Sequence, residues 1–137
     1  MIIADTGAVV ALVDRADRHH RVLSALFESR PEDWLLPWAI LPEVDYLLAA
    51  HVGSRAQEAF QADLAEGAYA VAWDTDRDLE DAVRLARKHR TLRMGLVDAV
   101  VMAQAVRLKA TAIATLDLRH FGAVQLATSP KLIPRDL

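Results

Sequence analysis

A chain of 137 residues, 53% of them hydrophobic, is long enough to bury roughly two thirds of the surface its unfolded form exposes, which suits one domain spanning residues 1–137. With no cysteine it has neither disulfides nor a thiolate zinc site, and no stretch approaches the ~20 apolar residues of a membrane span, so the expectation is a cytoplasmic protein with no membrane partner. The formal net charge of −3 argues against indiscriminate avidity for nucleic acid.

Met1-Ile2-Ile3-Ala4 is a short apolar run without alternation, as in a strand covered on both faces, and it stops at Asp5-Thr6-Gly7. Asp5 interrupts the apolar run and no Lys or Arg precedes it, so the start does not read as a signal peptide. Asp5 and Thr6 are good helix caps, and Ala8 to Val13 reads as a short helix. A charged loop follows, then His20, Leu23, Phe27 and Arg30 recur at helical spacing until Pro31. His19 and His20 diverge on a helix, which favours surface or capping roles over joint metal ligation. Trp34-Leu35-Leu36 is a second strand bounded by Pro37.

Pro42 opens the next helix, on which Glu43, Leu47 and Ala50 share a face expected to point inward, with Asp45 directed elsewhere. Ser54-Arg55-Ala56-Gln57 has capping-box spacing and starts a helix running to about Gly67. Tyr69 to Trp73 is a third strand; Thr75 or Asp76 caps a helix whose Leu79, Ala82, Val83 and Ala86 form an inward stripe. That helix ends in a basic strip, Arg84, Arg87, Lys88, Arg90 and Arg93, with no acid between; setting these five aside from the net −3 leaves −8 on the rest. Such a strip can hold phosphates beside carboxylates that could not attract them unaided, or it simply complements a helix C-terminus. Trp34, Trp38 and Trp73 read as core or rim packing. A helix through Leu108 carries Asp98 at the top of a face shared with Met102 and Ala105. Ala112 to Thr115 is a fourth strand, followed by Asp117; Val124-Gln125-Leu126 is a candidate fifth, and Pro130 and Pro134 mark an irregular tail.

Strands alternating with helices imply a three-layer α/β/α sandwich with a mostly parallel sheet of four to five short strands. Right-handed crossovers place strand ends and helix starts on one rim, so Asp5, Glu43, Asp98 and Asp117 are expected to converge there. Carboxylates packed together repel unless a cation sits among them. With no cysteine and no histidine placed to assist, the fitting ion is a hard one, Mg²⁺ or Mn²⁺, which can activate water for phosphodiester hydrolysis.

Met1-Ile2-Ile3-Ala4-Asp5-Thr6, Pro42-Glu43-Val44, Leu96-Val97-Asp98-Ala99 and Thr115-Leu116-Asp117-Leu118-Arg119-His120-Phe121 together resemble the PIN-domain ribonucleases, specifically the VapC toxins of toxin–antitoxin pairs. The resemblance spans Met1 to about Phe121 and implies a Mg²⁺- or Mn²⁺-dependent endoribonuclease with an RNA substrate, a homodimer, and a VapB-type antitoxin partner. It makes Asp5, Glu43 and Asp98 core metal ligands, Asp117 a further ligand direct or through water, and Thr6 and Thr115 hydroxyls that orient waters. Arg119 stands where some relatives carry another acid. Assigning RNA contact to the basic strip rests on its charge alone.

Two other readings compete. Asp5-Thr6-Gly7-Ala8 also spells an aspartic-protease signature, but that fold is nearly all β and this chain is dominated by helical periodicity. A noncatalytic, receiver-like or regulatory module binding Mg²⁺ through its acids needs a lysine after a late strand, whereas Lys109 precedes the fourth.

Overall fold

The computed structural model describes residues 1–137. Five short strands, β1 (Ile2–Ala4), β2 (Trp34–Pro37), β3 (Ala70–Ala72), β4 (Ala112–Ala114) and β5 (Lys131–Ile133), form one sheet in the order β3-β2-β1-β4-β5. Every neighbouring pair is parallel. Ile3, Ala4, Ile113 and Ala114 are fully buried, so the two central strands show no alternation, as a sheet covered on both faces requires.

The helices are α1 (Thr6–Val13), α2 (His20–Ser29), α3 (Leu41–His51), α4 (Ser54–Ala65), α5 (Asp76–Lys88), α6 (Leu96–Arg107) and α7 (Leu118–Phe121). From β1 the chain steps through β2 to β3, then returns across the sheet to β4. Right-handed crossovers therefore put α1 to α4 on one face and α5 with α6 on the other. The contacts agree: α1 meets α2 and α3, α3 meets α4, and α5 packs along α6, which also touches β1 and β2. This is the expected α/β/α sandwich. Because α6 lies between the sheet and α5, residues Ala99 to Ala105 are all buried, apolar except for Gln104, whose amide donates to Asp74. Its Ala99, Val100 and Ala103 meet Ala82 of α5 in a seam of small side chains. On the opposite face Phe27 stands edge-on to Trp34, ring centroids 5.6 Å apart, and Tyr69 packs against both Phe27 and Phe60.

Several sequence expectations need correction. The fifth strand is Lys131–Ile133, paired through Ile113↔Leu132, and not Val124 to Leu126. Val124 and Leu126 are buried and Gln125 exposed, so the alternation is genuine, but that segment finds no ladder partner. Ser54 forms no capping box; Gly53 precedes α4 at φ +132, a conformation that excludes most side chains, and no side chain caps it. The capping box belongs to α5, where the Thr75 hydroxyl accepts from the Asp78 amide and the Asp78 carboxylate accepts from the Thr75 amide. Leu79 is exposed and Asp78 takes its place on the inward face. Burial of that carboxylate is tolerated because Arg107 donates to both its oxygens, at 2.6 and 3.0 Å. The buried face of α3 is Leu41, Val44 and Leu48, so Glu43 and Ala50 point to solvent rather than inward.

Strand order fixes where a ligand can sit. The connections leaving β1 and those arriving at β4 run to opposite faces, and in open α/β sheets ligands bind outside the carboxyl ends of strands at such a switch point. The pairing continues past the strand ends, since the Asp5 amide donates to the Ala114 carbonyl at 2.8 Å and the Thr115 amide to the Ile133 carbonyl at 3.0 Å. Asp5 and Thr115 are thereby locked side by side at the switch point.

Candidate active site

Asp5 occupies the N-cap position of α1 in an extended conformation, yet its carboxylate makes no cap hydrogen bond. It accepts instead from the buried Thr115 hydroxyl at 3.0 Å, so helix capping does not account for this acid. The same hydroxyl accepts from the Asp117 amide at 3.1 Å and so sets the start of the turn that carries the next acid. Asp117 caps α7 through the His120 amide. Asp98 comes from a third element, the first turn of α6.

His120 joins the last two. Its Nδ1 lies 2.8 Å from Asp117 Oδ2 and 3.2 Å from Asp98 Oδ2. Its Nε2 lies 3.0 Å from the Leu92 carbonyl, to which it donates. The expectation that no histidine assists the acids is thus wrong. The signal lay in the spacing: a residue three positions after an N-cap aspartate is brought back over that carboxylate. Ligand atoms of Asp98, Asp117 and His120 all lie within 4.8 Å of one another.

The electrostatics mark this cleft as short of positive charge. Burial raises the Asp5 carboxyl to about 6, the nearby Thr6 amide and the Thr115 hydroxyl oppose the rise, and the charges of Asp98 and Asp117 add to it. Asp98 is also raised, by partial burial and then by Asp117 and Glu43, against the pull of His120. Burial disfavours the His120 imidazolium, but the Asp117 hydrogen bond, both neighbouring carboxylates and the Leu92 carbonyl outweigh it and raise its pKa. Glu43 is exposed at the start of α3, outside the group formed by Asp98, Asp117 and His120, and its charge is felt by Asp98. The buried Thr6 hydroxyl has no hydrogen-bond partner.

These side chains suit a divalent cation. Oxygen ligands converge from different elements, two of the acids bear raised pKa values, and a buried hydroxyl beside Asp5 is left without a partner.

The basic residues Arg84, Arg87, Lys88, Arg90 and Arg93 are all exposed. Arg84 pairs with Asp81 at 2.9 Å, while the other four form no ion pair. A tight turn, Arg90–Leu92, joins α5 to α6, and the His120 contact at Leu92 ties it to the acids. Trp38 and Trp73 stack on each other at the carboxyl ends of β2 and β3, with centroids 4.7 Å apart, as rim packing rather than core; Trp34 is core.

A parallel α/β/α sheet with carboxylates gathered from separate elements at its switch point defines a class of open α/β domains whose ligand site lies at the carboxyl edge. The model of the PIN domain matches residues 2–125. The chain is 34% identical over 124 residues to Ribonuclease VapC26 of Mycobacterium tuberculosis, covering 90% of this chain and 92% of that one. The chain belongs to the PIN-domain family. Among solved structures, Mycobacterium tuberculosis VapC20, described as a toxin that cleaves the sarcin–ricin loop, aligns with TM-score 0.81 at 23% identity over 93% of this chain and 98% of its own. VapBC2 from Rickettsia felis, solved bound to a promoter DNA fragment, aligns with TM-score 0.71 at 12% identity over 96% of this chain and 97% of its own.

Proposed function

We propose that the chain is a Mg²⁺- or Mn²⁺-dependent endoribonuclease and the toxin of a toxin–antitoxin pair. One observation carries the reading: Asp5, Asp98 and Asp117 come from three separate elements to the carboxyl edge of the sheet, where burial lifts Asp5 to about 6 and the charges of the other two add to the rise. Asp5, Asp98 and Asp117 would hold the metal, with Glu43 completing the set from the start of α3. When bound, a divalent cation polarises the phosphodiester and lowers the pKa of the attacking water. Thr115 fixes the Asp5 carboxylate and the Asp117 main chain in one arrangement, and Thr6 offers a free hydroxyl to an ordered water. Arg87, Lys88, Arg90 and Arg93 give an RNA backbone a cationic approach to an otherwise acidic body.

The kinship with Ribonuclease VapC26 favours RNA as substrate, and the VapBC2 structure favours a VapB-type antitoxin as partner. A homodimer and a cytoplasmic location belong to the same reading, and no helix is long and apolar enough to cross a membrane. We take residues 1–137 as one PIN domain, because β5 lies beyond the matched residues 2–125 yet pairs with β4. A protease is disfavoured by the parallel sheet, and a receiver module by Lys109, which lies before β4.

The test is cleavage of a structured RNA by purified protein in Mg²⁺ or Mn²⁺, stopped by EDTA and by Asp5→Asn. Cleavage that continues under both conditions excludes the metal site.

A further inference from the structure

The sequence points to a site of oxygen ligands alone, and the structure adds a nitrogen. We propose that His120 is itself a metal ligand through Nδ1, and that this nitrogen biases the site toward Mn²⁺ over Mg²⁺. The proposal rests on the metal-dependent reading above and specifies the chemistry of its centre.

The far side of the ring fixes the tautomer. Nε2 donates its proton to the Leu92 carbonyl at 3.0 Å, and a backbone carbonyl can only accept. The neutral tautomer held by this contact leaves the Nδ1 lone pair pointing at Asp117 Oδ2 and Asp98 Oδ2, 2.8 and 3.2 Å away. Three electron-pair donors then face one another, and only a cation among them, a proton or a metal ion, reconciles them. Metal-bound histidines characteristically donate the second ring N–H to a carbonyl or carboxylate, which fixes the tautomer and aims the ligating nitrogen.

The spacing suits an ion as well. Adjacent ligands on an octahedral cation with bonds of ~2.1 Å lie about 3 Å apart, close to both Nδ1 distances. The ligand atoms of Asp98, Asp117 and His120 all lie within 4.8 Å of one another, close enough to share one ion. Imidazole is a common ligand for transition metals, whereas Mg²⁺ prefers oxygen and gives up its waters reluctantly. The nitrogen therefore favours Mn²⁺.

The anchor links the ion to the substrate side. Leu92 closes the turn that begins at Arg90 and lies next to Arg93, so a ligating His120 holds that basic turn in register with the metal.

The experiment loads metal-free protein with one equivalent of Mn²⁺ and reads nitrogen coupling by pulsed electron paramagnetic resonance, on unlabelled protein and on protein grown with ¹⁵N-histidine. The expected result is a directly bonded nitrogen whose coupling changes with the label and disappears in His120→Asn while Mn²⁺ still binds. Titrations should show Mn²⁺ affinity falling about tenfold or more in that variant, with Mg²⁺ affinity changing less than about threefold. His120→Gln, whose amide nitrogen falls near the Nε2 position, keeps the Leu92 contact and should show the same loss. Bound Mn²⁺ without nitrogen coupling in the unsubstituted protein, or coupling that persists in His120→Asn, overturns the assignment and leaves the nuclease reading intact. Failure to bind Mn²⁺ at all overturns both. The spectrum of the unsubstituted protein decides the question even where a variant folds poorly.

Discussion

Replacing Asp5 by Asn should stabilise the metal-free protein while abolishing its activity. Asp5 is 5% exposed and its carboxyl is raised from 3.8 to about 6. The folded state thus holds this proton more tightly than the unfolded state. The stability linked to that proton is fully present below pH 3.8 and is lost as pH rises through about 6. Above that window the folded protein carries a buried charge that disfavours it by about 3 kcal/mol, at about 1.36 kcal/mol for each unit of displacement. Asn removes the charge and keeps an oxygen for the Thr115 hydroxyl, which donates to Asp5 at 3.0 Å.

A new amide N–H₂ without a matched acceptor returns about 1 kcal/mol, leaving a net gain of about 2 kcal/mol at pH 7.5. An unfolding entropy of about 2.1 cal/mol/K per residue makes that a rise in Tm of about 7 °C for 137 residues. At pH 4 the folded carboxyl is almost fully protonated and the unfolded one about 40% so, the charge term shrinks to about 0.5 kcal/mol, and the variant should melt no higher than the parent. Calorimetry in EDTA at the two pH values measures the difference directly. Repeating it with Mn²⁺ at about 100 times its Kd should reverse the order, since binding adds about 2.7 kcal/mol only to the chain that holds the ion. An unchanged or lower Tm for Asp5→Asn in EDTA at pH 7.5 refutes the cost assigned to the buried charge, and an equal gain at pH 4 assigns the effect to something other than charge.

Asp78→Ala leaves Arg107 without its partner and removes the α5 capping box, and should cost about 2 to 4 kcal/mol in urea denaturation. Burial works upward on the Asp78 carboxyl, but Arg107 and the Thr75 amide hold it below the usual range. Its contribution is therefore present above pH 3.8 and lost as pH falls through the lower folded value, so parent and variant should converge in acid. Arg90→Ala with Arg93→Ala should lower the slope of log binding constant against log salt by about 1.4 on single-stranded RNA; an identical slope assigns both residues to solvent. Thr115→Val should slow cleavage at least tenfold and raise the Asp5 pKa further, by loss of a hydrogen bond that lowers it, while Thr115→Ser restores both. Proton titration of Asp5 by NMR reads the shift, and an unmoved Asp5 removes Thr115 from the positioning role.

Asp5, Asp98 and Asp117 were legible in the sequence because each sits where a topological rule operates, at a strand's carboxyl end or a helix's first turn. Knowing that the sheet is parallel is enough to bring them to one edge. Phase on a helix surface is a different matter. Glu43 reads as inward because Leu47 shares its side, but the side that faces the core is settled by packing against α1 and α4, and Leu41, Val44 and Leu48 occupy it. Leu79 fails for a related reason: hydrophobic periodicity counts an acid as an outward residue, and the Arg107 that neutralises Asp78 lies on the next helix. The fifth strand is hard to place from sequence because the alternation of Val124 and Leu126 is the stronger local pattern even though Lys131–Ile133 forms the ladder.

His120 shows most clearly how local rules and distant partners combine. Its reach toward Asp117 follows from cap spacing, which sequence alone could have supplied. Its contact with Asp98 depends on α6 crossing near β1, and that with Leu92 on the length of the turn between α5 and α6. One ring thereby closes a circuit from the switch point of the sheet, through the acids, to the turn that carries Arg90. A cleft assembled this way is unstable by itself, because nothing but a single imidazole offsets three neighbouring carboxylates. The fold tolerates that charge because α6, buried from Ala99 to Ala105, and the buried central strands fix the backbone on which the acids stand. The stability forgone at the crevice is what gives a divalent ion, once bound, so much to neutralise.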